Sequence, residues 1–423
     1  MEHDMLRRFG CALCALAFAL TALPTAAFAQ QPEEQAAVQQ SLSATDVREM
    51  QQADAAVTAL TGGSDYAQMT EDERTEAALQ QLDALTAQGL VKQGSVYTDA
   101  ENGMISFTYS CGALGGILLT DPEEENTAAL PELDESQLQE LAENKRVGTA
   151  AIYYAFDNTI NSTRYPYYAY MQTYWDSVGL QTDLDTTVTV SDLRRMGRYD
   201  LCILSTHGAY YTYEYGWLFK KTATEPLILL TERSDFWSDL RYGFDLLAHR
   251  VVKVNGMYAV NGDFFRSAYR GNGIVLSETC EFYGKNGHVD TGIADALLAA
   301  GAKAVAGYVN NVYSVYSRSM LWAMVNRMIE GETLEAAANY AKEVYGTDDI
   351  LWYNSQGGKR PHASASYLVL SGDRSATLPN PYTEADGVRR SGANTLHSTN
   401  SKPVLRHPRN SSIWCSQKVK KQA

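Results

Sequence analysis

The sequence predicts an α/β fold, a mostly parallel six-stranded sheet with helices on both faces, preceded by a small α+β unit. Three observations predict it. Between Val147 and Asp373 short apolar runs alternate with segments of helical period, the pattern of a parallel sheet wrapped by helices. The runs are nearly continuous rather than alternating, as in residues 150–156, which is how a strand buried on both faces reads. Ahead of them stand a capped helix and a hairpin signal, set off by an acidic stretch.

Residues 30–65 are rich in Gln and Ala and predict loose helix or linker. Thr70 and Glu73 have capping-box spacing and lead into Ala77, Ala78, Leu79, Leu82 and Leu85, an amphipathic helix that Gly89 stops. Residues 95–97, 104–109 and 116–119 read as strands, with a hairpin turn over 99–103. The acidic segments 121–126 and 132–143 follow. A separate N-terminal unit over 30–145 is therefore expected, one that could serve as a propeptide.

The expected main domain covers 146–376. Its strands are 150–156, 186–190, 200–205, 273–277, 304–309 and 367–370. Helices are expected over 167–178, 192–196 and 295–300, and over 319–344 with a break at Gly331. Between the third and fourth strands lies a long insertion. It carries a strand pair, 251–254 and 257–260, that turns at Gly256.

The N-terminus predicts export. Arg7 and Arg8 precede an apolar run over 11–23, followed by Ala27-Phe28-Ala29 before Gln30, so residues 1–29 read as a cleaved signal peptide. The run is too short for a stable span, and no later stretch reaches the about 18 apolar residues a spanning helix needs. The expectation is a secreted or periplasmic chain with no membrane span. The formal charge of −15 argues against nucleic acid as a partner, because phosphate binding needs basic patches. From Gly387 onward there are eight basic residues and no Asp or Glu. The tail, 377–423, is thus expected to be disordered and basic, able to touch an anionic cell-surface polymer.

Cleavage after Ala29 would leave Cys111, Cys202, Cys280 and Cys415. Four well-separated cysteines in so long a chain make neither a disulfide scaffold nor a zinc site. No cofactor is called for, and a calcium requirement is not legible. One thiol is therefore a candidate for chemistry. Open parallel sheets collect their ligands at the carboxyl ends of the strands. There the third strand runs into His207-Gly208 and the fourth into Glu278-Thr279-Cys280. On neighbouring strands these would share a rim. Imidazole beside a thiol supplies the base that makes thiolate and the acid that protonates a leaving amine. The N–H groups of Gly208 and Cys280 could form an oxyanion hole. Of the rest, His288 is an alternative base, His249 a surface residue and Cys202 a packing thiol. Tyr165, Tyr167, Tyr168, Tyr210, Tyr211, Tyr213 and Tyr215 suit either a peptide groove or surface loops.

These motifs resemble those of the caspase-like (clan CD) cysteine peptidases, which include gingipains, clostripain, legumain, metacaspases and CHAT-domain proteases. Residues 276–281, Leu-Ser-Glu-Thr-Cys-Glu, are similar to the CHAT-type Leu-Ser-Ala-Cys-Glu-Thr-Gly segment. Residues 293–305 resemble the helix, Gly-Ala-Arg and strand that follow it there. The likeness spans about Val147 to Asp373 and implies a caspase-like three-layer sandwich, a peptide or protein substrate and a dyad of His207 and Cys280. Asn310-Asn311 replaces the CHAT-type tryptophan-proline, and the 209–272 region is longer than a minimal connection. Glu278 sits where legumain and metacaspases carry an acidic residue. With Asp157 after the first strand it would make a pocket for Arg or Lys before the scissile bond. The His207–Cys280 pair would also serve a non-peptidase hydrolase or acyltransferase. A surface-binding protein that has lost turnover is the remaining alternative.

Overall fold

The computed structural model describes residues 41–119, 147–155, 166–216, 220–349 and 365–379. The expected signal segment, the acidic stretch, Asp157, Tyr165, Cys415 and nearly all of the expected tail lie outside them. The described chain is mixed α/β and forms two large sheets.

The six-stranded sheet contains β4 (Gly148–Ala155), β5 (Leu180–Asp185), β6 (Leu201–Thr206), β11 (Ile274–Ser277), β14 (Ala304–Val309) and β15 (Tyr367–Gly372). Its order is β15-β14-β11-β6-β4-β5. All its pairings are parallel except β14 with β15. The chain runs from β4 outward to β5 and returns to β6 on the opposite side. The order therefore reverses between β4 and β6, where such sheets bind ligands.

Alternation along the buried strands separates two packed layers. Ala150, Ile152 and Tyr154 of β4 and Leu201 and Ile203 of β6 face α4 (Pro166–Ser177), α9 (Ser314–Ile329) and α10 (Leu334–Tyr345). Ala151, Tyr153, Cys202, Leu204 and Val275 face α7 (Gly262–Ala268) and α8 (Gly292–Ala299). The expected break at Gly331 falls in the turn between α9 and α10.

One strand was misplaced by sequence. Residues 186–189 are not a strand; the edge strand is β5, just before them. Thr189 instead caps α5 (Val190–Leu193) through a capping box with Asp192, which drew its β-branched run out of the sheet. β5 itself, Leu-Gln-Thr-Asp-Leu-Asp, is polar as a sheet edge can be.

The second sheet joins strands of the expected N-terminal unit to strands of the insertion. Helices α1 (Ala44–Thr61), α2 (Ser64–Gln68) and α3 (Glu71–Ala87) precede β1 (Tyr97–Asp99), β2 (Met104–Thr108) and β3 (Leu114–Leu118). The insertion supplies β7 (Gly208–Tyr215), β8 (Lys221–Arg233), α6 (Phe236–Leu247), β9 (Val251–Val254) and β10 (Met257–Val260). Together these strands form one sheet of order β1-β2-β3-β9-β10-β8-β7, joined across the two regions by parallel pairing of β3 with β9. One hydrophobic cluster runs from Val47 and Met50 of α1 through Ile117 to Val305 of β14. Hydrophobic burial is roughly proportional to area and indifferent to sequence distance, so a hairpin that cannot bury its own face joins the insertion.

A buried ionic cluster fastens the same junction. The Lys253 ammonium on β9 is 1% exposed. It lies 2.8 Å from Asp239 of α6 and pairs with Asp54 of α1. Tyr258 donates to Asp239 at 2.7 Å and Ser234 to Asp54 at 2.9 Å. Tyr109 also bonds Asp54, and Gln51 bonds Asp239. Buried charges persist when paired and hydrogen-bonded in this way.

Candidate active site

The β6–β11 register fixes the site. Ile274 lies opposite Leu201 and Ser277 opposite Leu204, and continuing that register sets Thr279 beside Thr206 and Cys280 beside His207. The pairing persists beyond the last strand residue, for the Thr206 and Thr279 hydroxyls are 2.9 Å apart at a separation of 73 residues. Glu278 N also donates to Leu204 O at 2.8 Å.

Gly208 shows how closely the two segments approach. A Cβ on it would stand 2.1 Å from Cys280 O and 2.7 Å from Thr279 Cγ2. Only glycine fits between the His-bearing and Cys-bearing segments. The neighbouring ladder sets the direction of its N–H. Gly208 faces Ile228 across β7 and β8, while His207 O accepts from Leu229 N at 3.0 Å. This makes 208 and 228 a non-hydrogen-bonded pair, so Gly208 N–H points away from β8. By the same alternation Pro226, opposite Tyr210, costs the β7–β8 ladder no donor.

His207 and Cys280 are both half-buried. Cys280 packs on the α4/α9/α10 layer, with Sγ 3.6 Å from Val312 O. The turn that presents it has Glu281 at φ 56° and is held from β14: Glu281 N donates to Asn310 O at 3.0 Å, and Asn310 N to Gly284 O at 2.8 Å. The fully buried Asn310 side chain accepts from Gly287 N and donates to Ala365 O. In sequence Asn310 stands only as a departure from the CHAT-type motif. Its signal was an Asn after a buried strand, a residue that tolerates the left-handed conformation, here φ 68°.

Glu278 is 7% exposed, so it is not a solvated loop charge. Period-2 alternation puts it on the face that Cys280 uses. Its carboxylate accepts from Tyr168 OH at 3.0 Å, and that hydroxyl also meets Ser205 Oγ at 2.7 Å. Glu278 lines a small cavity with Tyr308, Ser317, Leu321 and Met324. Its expected partner Asp157 lies outside the described residues.

Other candidates fall elsewhere. His288 is exposed on a short hairpin with Lys285. His249 ends α6 at φ 55°, with Nε2 3.0 Å from Gly112 O, and is half-buried rather than on the surface. Cys202 is fully buried with Sγ 3.0 Å from Met196 O, and burial drives its thiol well up. None of Cys111, Cys202 and Cys280 is in a disulfide. Tyr210 and Tyr211 are buried strand residues rather than loop surface, and the rings of Tyr211, Tyr213 and Tyr215 pack in tilted contacts, one on the next, along one face of β7.

Among the described residues no helix is long and apolar enough to cross a membrane, and no cluster of His, Cys, Asp and Glu could hold a metal ion. The chain matches no protein-family model, and a search of curated proteins returns no match.

Proposed function

We propose that this chain is a secreted cysteine endopeptidase of the caspase-like type, acting through Cys280 and His207. The observation that carries the reading is the continuation of the β6–β11 register past the strand ends, which sets the two residues side by side at the carboxyl edge. The sheet order, with its antiparallel last strand, supports the same fold type.

In this reading His207 takes the Cys280 proton as Sγ bonds to the substrate carbonyl carbon. The carbonyl oxygen becomes an oxyanion held by the N–H groups of Gly208 and Cys280. The C–N bond then breaks as His207 returns the proton to the leaving amine. Water attacks the thioester, its proton passing through His207 to regenerate the thiol and release the acid. Glu278, buried two residues before the nucleophile, favours Arg or Lys before the scissile bond.

Cleavage of a peptide library by the wild type, Cys280→Ala, His207→Ala and Glu278→Gln tests the reading. The first two substitutions should abolish cleavage in folded protein, and Glu278→Gln should selectively reduce cleavage after Arg and Lys. Cleavage by Cys280→Ala would overturn the dyad. Equal cleavage after Arg, Asp and Leu would overturn the acidic pocket.

A further inference from the structure

The two segments that carry the dyad meet again beyond it, on the turn between β1 and β2. Lys285 lies five residues after Cys280. Its ammonium is 3.2 Å from the Glu101 carboxylate, bonds Asn102 Oδ1, and sits 5.2 Å from the Tyr210 ring on the strand that follows His207. Asn286 donates to Glu101 at 3.2 Å. The turn is braced from within, since Asn102 N donates to Asp99 at 3.1 Å, and Asp99 also accepts from Thr212 of β7. Ser106 of β2 donates to Thr212 O at 2.6 Å and Tyr211 to Gly115 O at 2.8 Å. Thus β7 and the turn after Cys280 are both fastened to one element from the N-terminal region. Lys285 is largely covered, with 16% of its side chain exposed, against 69% for Glu101. The Glu101 side of the pair is open to solvent and screened, so the Asn102 bond and the Tyr210 ring do most to fix the Lys285 head.

We propose that Lys285 and the β1–β2 turn form a positioning clamp that holds the turn after Cys280 against β7, making residues 41–119 a permanent activating part of the enzyme. The inference rests on the dyad reading above, and it opposes removal of this region on activation. Asn310 holds the turn from the β14 side and the clamp holds it from the other. Loss of the clamp frees the turn on one side and misplaces Sγ relative to His207.

The test is the rate of Cys280 alkylation by iodoacetamide at pH 7, with kcat and KM on a peptide substrate, in full-length protein. The variants are His207→Ala, Lys285→Met, Lys285→Arg and the exposed-turn pair Glu101→Gln/Asn102→Ala. Lys285→Met and the turn pair should each slow alkylation and lower kcat by about 10- to 100-fold, the scale of a misplaced reacting group, with KM nearly unchanged. Lys285→Arg should recover most of the loss. If His207→Ala alkylates as fast as the wild type, the dyad reading fails. If His207→Ala is slow while Lys285→Met and the turn pair stay fast, the dyad stands and the clamp is wrong. Faster alkylation in the turn pair would also overturn the clamp, since the N-terminal region would then be restraining the site.

Discussion

Thr206 and Thr279 share a buried hydroxyl–hydroxyl bond of 2.9 Å immediately before the histidine and the cysteine. It lies on the sheet face opposite the one Glu278 and Cys280 use, so it can lock the register of the two segments without entering the site. Thr206→Val or Thr279→Val alone leaves one buried hydroxyl short of its partner, a loss of about 1–3 kcal/mol. The double variant removes both groups and should cost less than the sum of the singles. Denaturant unfolding of the four proteins checks this; additive losses would mean the pair is not coupled.

Gly208→Ala is expected to cost stability and, on the proposed reading, catalysis as well. Its methyl group would sit 2.1 Å from Cys280 O, so the two segments must part. Losing the placement of an oxyanion donor costs about 10²- to 10³-fold in kcat. Steady-state kinetics beside a thermal melt separates this from unfolding.

Lys253→Met should destabilise the protein strongly. It keeps the volume of the side chain but leaves the Asp54 and Asp239 carboxylates buried against each other. Removing one partner of such a cluster costs about 3–5 kcal/mol. Urea unfolding should show the loss as one transition for residues 41–119 and the rest, because the cluster belongs to both.

Glu225 supplies a pH dependence. Burial pushes its carboxyl above the ordinary value, and its partners are neutral, Asn261 at 2.5 Å and Tyr213 at 3.1 Å. The folded state therefore holds the proton more tightly than the unfolded chain. The site's contribution is favourable below the unfolded carboxyl's value and declines as pH rises through the folded one. Glu225→Gln should melt higher than the wild type at pH 8, with the gap closing toward pH 4. A gap independent of pH would assign the effect to packing.

The parallel sheet was legible because strands buried on both faces announce themselves. Residues 304–309 were read as the strand found there, and the hairpin turning at Gly256 was read in place. The candidate site was legible because His207 and Cys280 follow closely where two of those strands stop. What sequence did not disclose was partnership. Nothing local in Gly115 or Gly116 says that β3 will pair with Lys253 and Val254. The tyrosines of β7 suit a peptide groove or surface loops in sequence, although Tyr211, Tyr213 and Tyr215 already alternate as strand residues do. α1 reads as loose helix or linker because Gln and Ala fill the segment around its few large buried residues, Val47, Met50 and Val57, and only Ser43 and Asp46, a capping box, mark its start.

Asp54 and Lys253 also constrain the order in which the molecule can be made. The carboxylate leaves the ribosome long before the ammonium that neutralises it, and its other bonds, from Tyr109 and Ser234, bring no positive charge. The first third of the chain must therefore wait, partly exposed, until β9 has been synthesised. Contacts so distant in sequence form late, since loop closure precedes the reward for making them. During that interval its apolar face, Val47, Met50 and Val57, is open to chaperones and proteases alike.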